Sequence, residues 1–224
     1  LRSVYLLHGE EPFFIDEIAK ALEDVVVEES MRDFNQTIVY GRDTTVDQLL
    51  ESARRFPMMA ERQLVMMREA QDWPAWKRAN DMVKLEAYAK APVSSTILVF
   101  CFKNKKADGR LKAVKAISKA GLLFLSEKVR DYKLAEWISN QVQEKGMRIG
   151  GHAAQILAEY LGNDLRKVMN ELEKLRIVLP DGAEIQPDHI EQHIGISKDF
   201  NVFELQRAIG AKDLARANRI VDYF

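Results

Sequence analysis

The 224-residue chain is expected to be an α/β protein: a parallel five-stranded sheet domain over residues 1–126, a small helical domain over 127–196, and the beginning of a further helical unit over 197–224. Three observations carry this reading. Short apolar runs alternate with helical patterns through the first half of the chain, strand signals cease after Leu125, and the later apolar stripes recur at helical spacing.

The run Val4-Tyr5-Leu6-Leu7-His8 reads as a buried strand, with Gly9 as its turn. Ile15, Ile18, Ala19, Leu22 and Val25/Val26 then define a helix from Ile15 to Val27. Further strands are read at Thr37 to Tyr40, Gln63 to Met67, Ser95 to Cys101 and Leu122 to Leu125, with helices at Val46 to Arg54, Trp76 to Lys90 and Arg110 to Lys119. Such alternation implies parallel strands joined by crossover helices. Helices on both faces of the sheet explain why the strands are almost continuously apolar.

Beyond Leu125 three stripes predict three helices: Leu134, Trp137, Ile138 and Val142; Ile156, Leu157, Tyr160 and Leu161; and Leu165, Val168, Met169, Leu172 and Leu175. Gly146, Gly150-Gly151 and Gly162 punctuate them, and Pro187 is placed to open a fourth helix through Ile190 and Ile194. After Gly195-Ile196-Ser197, the residues Phe203, Leu205, Ile209, Leu214 and Ile220 begin a unit that the chain leaves unfinished. Together with the initial Leu, this leads us to expect a piece of a longer protein.

Composition narrows the function classes. With 33 basic and 34 acidic residues the net charge is -1, which argues against coating nucleic acid by bulk charge but leaves room for a local basic patch. A single cysteine, Cys101, excludes an intramolecular disulfide and a cysteine-pair zinc site and fits a cytoplasmic, reducing setting. No apolar run approaches membrane-spanning length, so no membrane contact is expected.

The first strand, turn and helix are laid out like a P-loop, but the phosphate-binding residues are absent. A P-loop needs Gly-x-x-x-x-Gly-Lys-Ser/Thr, whose backbone amides cradle phosphates while the Lys and hydroxyl serve the terminal phosphate and magnesium. Counting from Gly9, the second Gly is Phe14, the Lys is Ile15 and the Ser/Thr is Asp16. Glu10 and Glu11 would also repel a triphosphate. The third strand, which in such ATPases ends in a magnesium-binding Asp, ends here in Arg68-Glu69. Lys103-Asn104, after the fourth strand, stands where a polar sensor of the terminal phosphate would sit. No cofactor, metal or catalytic residue is therefore expected. For Glu69 the plain reading is a solvated strand-end carboxylate.

Other candidates each have two readings. His189 and His193, four apart on one helix, are either a metal pair lacking a third ligand or surface and capping residues. Lys103, Lys105, Lys106 and Arg110, continued by Lys112 and Lys115, are either phosphate contacts for DNA or a solvated face. Phe56-Pro57 breaks the preceding helix and projects Met58-Met59, which either fill core or form an adaptable plug for a partner's pocket.

Four blocks in order, Leu6 to Phe14, Phe56 to Val65, Lys103 to Arg110 and Gly162 to Leu175, together resemble the delta subunit family of the bacterial DNA polymerase III clamp loader. The resemblance implies an AAA+-type α/β domain, a helical lid and the start of a helical collar. It implies a subunit without ATPase activity that binds and opens the sliding clamp (beta subunit), alongside gamma/tau and delta prime, for loading onto primed DNA. The family's clamp-binding hydrophobic pair maps onto Met58 and Met59, flanked by Phe56 and Pro57. The sequence departs from the best-known motif, a Gln four residues before an aliphatic residue and then an aromatic, because Arg54 and Met59 hold the outer places. Arg166 falls near the lid arginine with which active relatives sense nucleotide, and without a P-loop it reads as a surface or interface residue.

Overall fold

Residues 1–195 and 202–224 are described in the computed structural model, apart from the Phe203 side chain. The boundary expected at 196/197 and the packing expected of Phe203 lie outside the described residues. The chain divides into two units, Leu1–Lys128 and Val129–Phe224.

The first unit runs β1 (Val4–Gly9), α1 (Pro12–Val26), α2 (Arg32–Asn35), β2 (Gln36–Tyr40), α3 (Val46–Arg54), β3 (Gln63–Arg68), α4 (Ala79–Lys90), β4 (Thr96–Phe102), α5 (Lys112–Ala120) and β5 (Leu122–Ser126). The five strands lie in the order β2-β3-β4-β1-β5, all parallel. Alternation within the central strands feeds two cores. Leu6, Val65, Met67, Leu98 and Phe100 pack with α3, α4 and α5 on one face, while Leu7, Leu64, Met66, Val99 and Cys101 pack with Ile15, Ala19 and Leu22 of α1 on the other. Central strands thus need apolar residues at every position. The edge strands do not, and Ile38 and Tyr40 of β2 and Leu122, Leu123 and Leu125 of β5 are exposed.

Beyond shifts of one or two residues at element ends, α1, the segment before α4 and α2 differ from the sequence reading. Helix α1 begins at Pro12, three residues before Ile15, because Pro suits the first helical position and the Glu11 side chain caps the end by accepting from Phe13 N. The helix expected from Trp76 is split into a 3-10 turn over Pro74–Lys77 and α4. From that turn Trp76 packs edge-on against Trp73 and Phe100 and donates its indole N–H to Ala70 O, so its apolar signal belongs to a ring cluster and not to a helix face. Helix α2 is one turn, too short for a periodic signal.

The second unit contains α6 (Asp131–Glu144), β6 (Arg148–Ile149), α7 (Gly151–Leu161), α8 (Leu165–Val178), β7 (Glu184–Ile185), α9 (Pro187–Ile194), α10 (Val202–Gly210) and α11 (Leu214–Tyr223). The expected stripes turn mostly inward: Leu134, Ile138, Val142, Ile156, Leu157, Val168, Leu172, Leu175 and Ile190 are buried. Tyr160, Ile209 and Leu214 are exposed instead, and the Lys167 ammonium lies over the Tyr160 ring at 5.9 Å. The expectation of no strand beyond Leu125 is corrected by β6 and β7, which pair in parallel through Arg148–Glu184 and Ile149–Ile185. Two-residue strands are too short to show a period of two. Among the described residues, no helix is long and apolar enough to cross a membrane.

Candidate functional site

Only Glu10 and Glu11 separate β1 from α1, and the backbone donors of this turn are already engaged. Gly9 N donates to Lys105 O (3.1 Å), while Glu10 N and Glu11 N donate to Ser126 O (2.9 and 3.4 Å). Pro12 has no N–H, and Phe13 N donates to Glu11 Oε1 (3.0 Å). The Ser126 hydroxyl closes the arrangement by donating to Glu11 O at 2.6 Å. Gly9 has φ +146°, and a Cβ there would lie 1.9 Å from Ser126 O, so β5 approaches too closely for any side chain. The Gly9, Glu10, Glu11 and Phe13 amides, which lie where a P-loop begins to cradle phosphates, serve the fold instead.

Charged residues at and around the motif positions are brought together in ion pairs. Ile15, at the Lys position, is fully buried in core. Asp16, at the Ser/Thr position, pairs with Lys103 Nζ at 2.6 Å, and the same ammonium lies 3.7 Å from Glu69. Glu69 is therefore a paired carboxylate, not a purely solvated one, and it also accepts from the Gln71 amide. Gln71 in turn accepts from Lys103 N at 3.0 Å. Arg68 pairs with Glu23 at 2.6 Å, a hydrogen bond that raises the guanidinium pKa above its ordinary value. Nearby, His8 Nδ1 accepts from Ala107 N at 3.1 Å, and burial followed by the Lys106 charge lowers its pKa. Cys101 is buried, and desolvation pushes its thiol up to about 12.

The four basic candidates have different settings. Lys103 is directed to Asp16 and Glu69, as above. Lys105 lies 5.8 Å from the Phe102 ring centre, Lys106 is 3.4 Å from Glu127, and Arg110 grips Asp108 at 2.9 Å. The Arg110 hydrogen bonds hold the Asp108 carboxyl down at about 2. Further along, Lys112, Lys115 and Lys119 line a groove of about 420 Å³ with Lys90 and Glu86. His189 uses Nδ1 to accept from Gln186 N at 3.2 Å, which is a helix-capping role at the start of α9. Arg166 is exposed on α8.

At the opposite end of the sheet, the turn between α3 and β3 presents apolar side chains to solvent. Phe56 is 84% exposed, Met58 59% and Met59 91%, so the core-filling reading of the Met pair is corrected. The flanking α3 and β3 fill their sides of the core with Leu49, Leu50, Ala53, Leu64 and Val65 instead. Its backbone is nonetheless held. Buried Asn35 accepts from Met58 N (2.6 Å) and donates to Met58 O (2.9 Å), and Gln63 Nε2 donates to Arg55 O (2.5 Å) and Ser52 O (3.2 Å). Met59 adopts a left-handed φ of 54°, uncommon for a residue other than glycine. Beside it, Val25, Val26, Met31 and Ala60 help line a groove of about 540 Å³.

Sequence reasoning missed Asn35 and Gln63. Each acts across the fold, Asn35 on a residue 23 positions away, and nothing in the local pattern marks such a partner. The Pro12 start of α1, by contrast, had a visible signal.

Comparison with known proteins adds an independent line. The family model described as DNA polymerase III, delta subunit, matches residues 5–126. DNA polymerase III subunit delta of Bacillus subtilis (strain 168) is 26% identical over 209 residues, covering 92% of this chain and 60% of the relative. The probable DNA polymerase III subunit delta of Aquifex aeolicus (strain VF5) is 20% identical over 227 residues, covering 98% of this chain and 63% of the relative. The chain thus spans about three-fifths of the length of these curated relatives. A solved structure of the Bacillus subtilis DNA clamp loader delta protein superimposes with a TM-score of 0.75 at 25% identity, over 99% of this chain and 66% of that one. A five-stranded parallel sheet with an altered phosphate loop, joined to this match across more than half of the residues, places the chain in the DNA polymerase III delta subunit family.

Proposed function

We propose that this chain acts as a non-catalytic clamp-loader subunit that binds and opens the sliding clamp, with Met58 and Met59 as the anchor and Phe56 and Pro57 as their flank. The observation that carries the reading is the pinned turn of α3–β3, which exposes those side chains on a held backbone. Fully burying two Met side chains contributes about 3 to 6 kcal/mol before entropic costs, enough to anchor a contact. The proposed partners are the beta clamp, the gamma/tau and delta prime subunits, and primed DNA within the assembly, in the cytoplasm. We further propose no ATPase activity, because the Gly9–Phe13 donors and Lys103 are engaged internally. The proposed lid and collar correspond to 127–196 and 197–224.

The test is binding of the purified sliding clamp from the same organism to the chain and to its Met58→Ala/Met59→Ala variant. Loss of most binding with unchanged folding supports the site, and unchanged binding overturns it. Calorimetric titration with magnesium-ATP tests the second part, where micromolar binding would contradict it. DNA contact is a second reading favoured by the Lys112, Lys115 and Lys119 groove, and it predicts strongly salt-dependent duplex affinity.

A further inference from the structure

The exposed turn gains little from apolar burial, yet one buried side chain holds both backbone groups of its central residue. Asn35, at the end of α2, is 2% exposed and brackets Met58 by accepting from its N–H and donating to its carbonyl. Its amide also donates to Met31 O at 3.2 Å, which ties the bracket to the preceding turn. On the far side, Gln63 is fixed by Thr96 Oγ1 at 2.8 Å while it holds Arg55 O. Directly after the bracketed Met58, Met59 keeps its left-handed backbone and its side chain in solvent. An unheld turn would relax out of that conformation, and Met59 would fold onto the apolar surface of Val25 and Val26, with which it lines a groove.

We propose that Asn35 is a positioning residue for clamp docking: it holds the Met58-Met59 turn in the binding geometry before the partner arrives. The inference rests on the proposed role of the Met pair. Ordering the turn during folding removes that cost from association, so the observed affinity reflects a binding-competent fraction near unity. Without the bracket, the competent fraction falls and the affinity falls in proportion.

The experiment measures affinity of the purified sliding clamp for the unaltered chain, Asn35→Ala, Met59→Ala, Asn35→Ala/Met59→Ala and Met58→Ala/Met59→Ala, each checked for folding by circular dichroism. Amide hydrogen exchange at Met58 and Met59 is followed in parallel. Asn35→Ala is expected to speed exchange in the turn and to weaken clamp binding about tenfold. In the Met59→Ala background the same change should cost much less, because Asn35 acts through the plug. Asn35→Ser, too short to bracket both Met58 groups, replaces the alanine variant if that one does not fold. A folded Asn35 variant with unchanged affinity, or one that loses equally in both backgrounds, overturns the inference. Loss of binding in Met58→Ala/Met59→Ala alone would leave the role of the Met pair standing, whereas unchanged binding in that variant would remove the reading beneath it.

Discussion

The turn after β1 and the turn before β3 lie at opposite ends of the same sheet and use their hydrogen bonds differently. Around Gly9, the backbone donors and the buried Glu11 side chain are directed inward, to Lys105, Ser126 and Phe13, while Asp16 pairs with Lys103. Around Met58, only the backbone is directed inward, and the apolar side chains face solvent. In an ATPase fold the first end does the chemistry. Here the Gly9, Glu10 and Glu11 amides at that end are engaged within the fold, and the opposite end exposes Phe56, Met58 and Met59.

The largest expected effect tests the first turn. Gly9→Ala must place a Cβ against the Ser126 carbonyl, so it should destabilise the first unit by about 4 kcal/mol, read by urea denaturation. Near-native stability would show that β5 can move away and that the turn is less tightly built. Next comes the second turn, where Met58→Ala/Met59→Ala should weaken clamp binding about 100-fold while changing stability by less than about 0.5 kcal/mol. A stability loss as large as that of Gly9→Ala would erase the contrast between the turns. A smaller effect belongs to Lys103→Ala, which leaves Asp16 and Glu69 facing each other without their cation and should cost about 1 to 2 kcal/mol in thermal or urea unfolding.

The smallest is a pH effect at His8. Its folded pKa is lowered from 6.5, first by burial and then by Lys106, so below pH 6.5 the unfolded chain binds more protons than the folded one. Stability should therefore fall as the pH drops through 6.5 toward the lower folded value. His8→Asn, which keeps an acceptor for Ala107 N, should flatten this part of the profile, as measured by denaturation between about pH 7.5 and about pH 5.

The sheet was legible because β1, β3 and β4 are covered on both faces, which forces continuous apolar runs such as Leu64 to Met67. The loss of the phosphate motif was legible residue by residue at Phe14, Ile15 and Asp16. Its replacement was not, because the Lys103 network joins helix α1 to the segments after β3 and β4 only after folding. The chemistry of the Met pair could be read, but its exposure could not, since buried and exposed Met look alike in sequence. The β6–β7 pair was hidden by its length.

The buried thiol on β4 has a practical consequence. With its pKa pushed up to about 12, Cys101 holds almost no thiolate near neutral pH and reacts poorly with electrophiles. A single introduced thiol at Ala60→Cys would therefore carry a fluorescent label without competition from the native residue. The docking proposed for the neighbouring Met59 could then be tested optically in solution, with the native thiol buried away from the label.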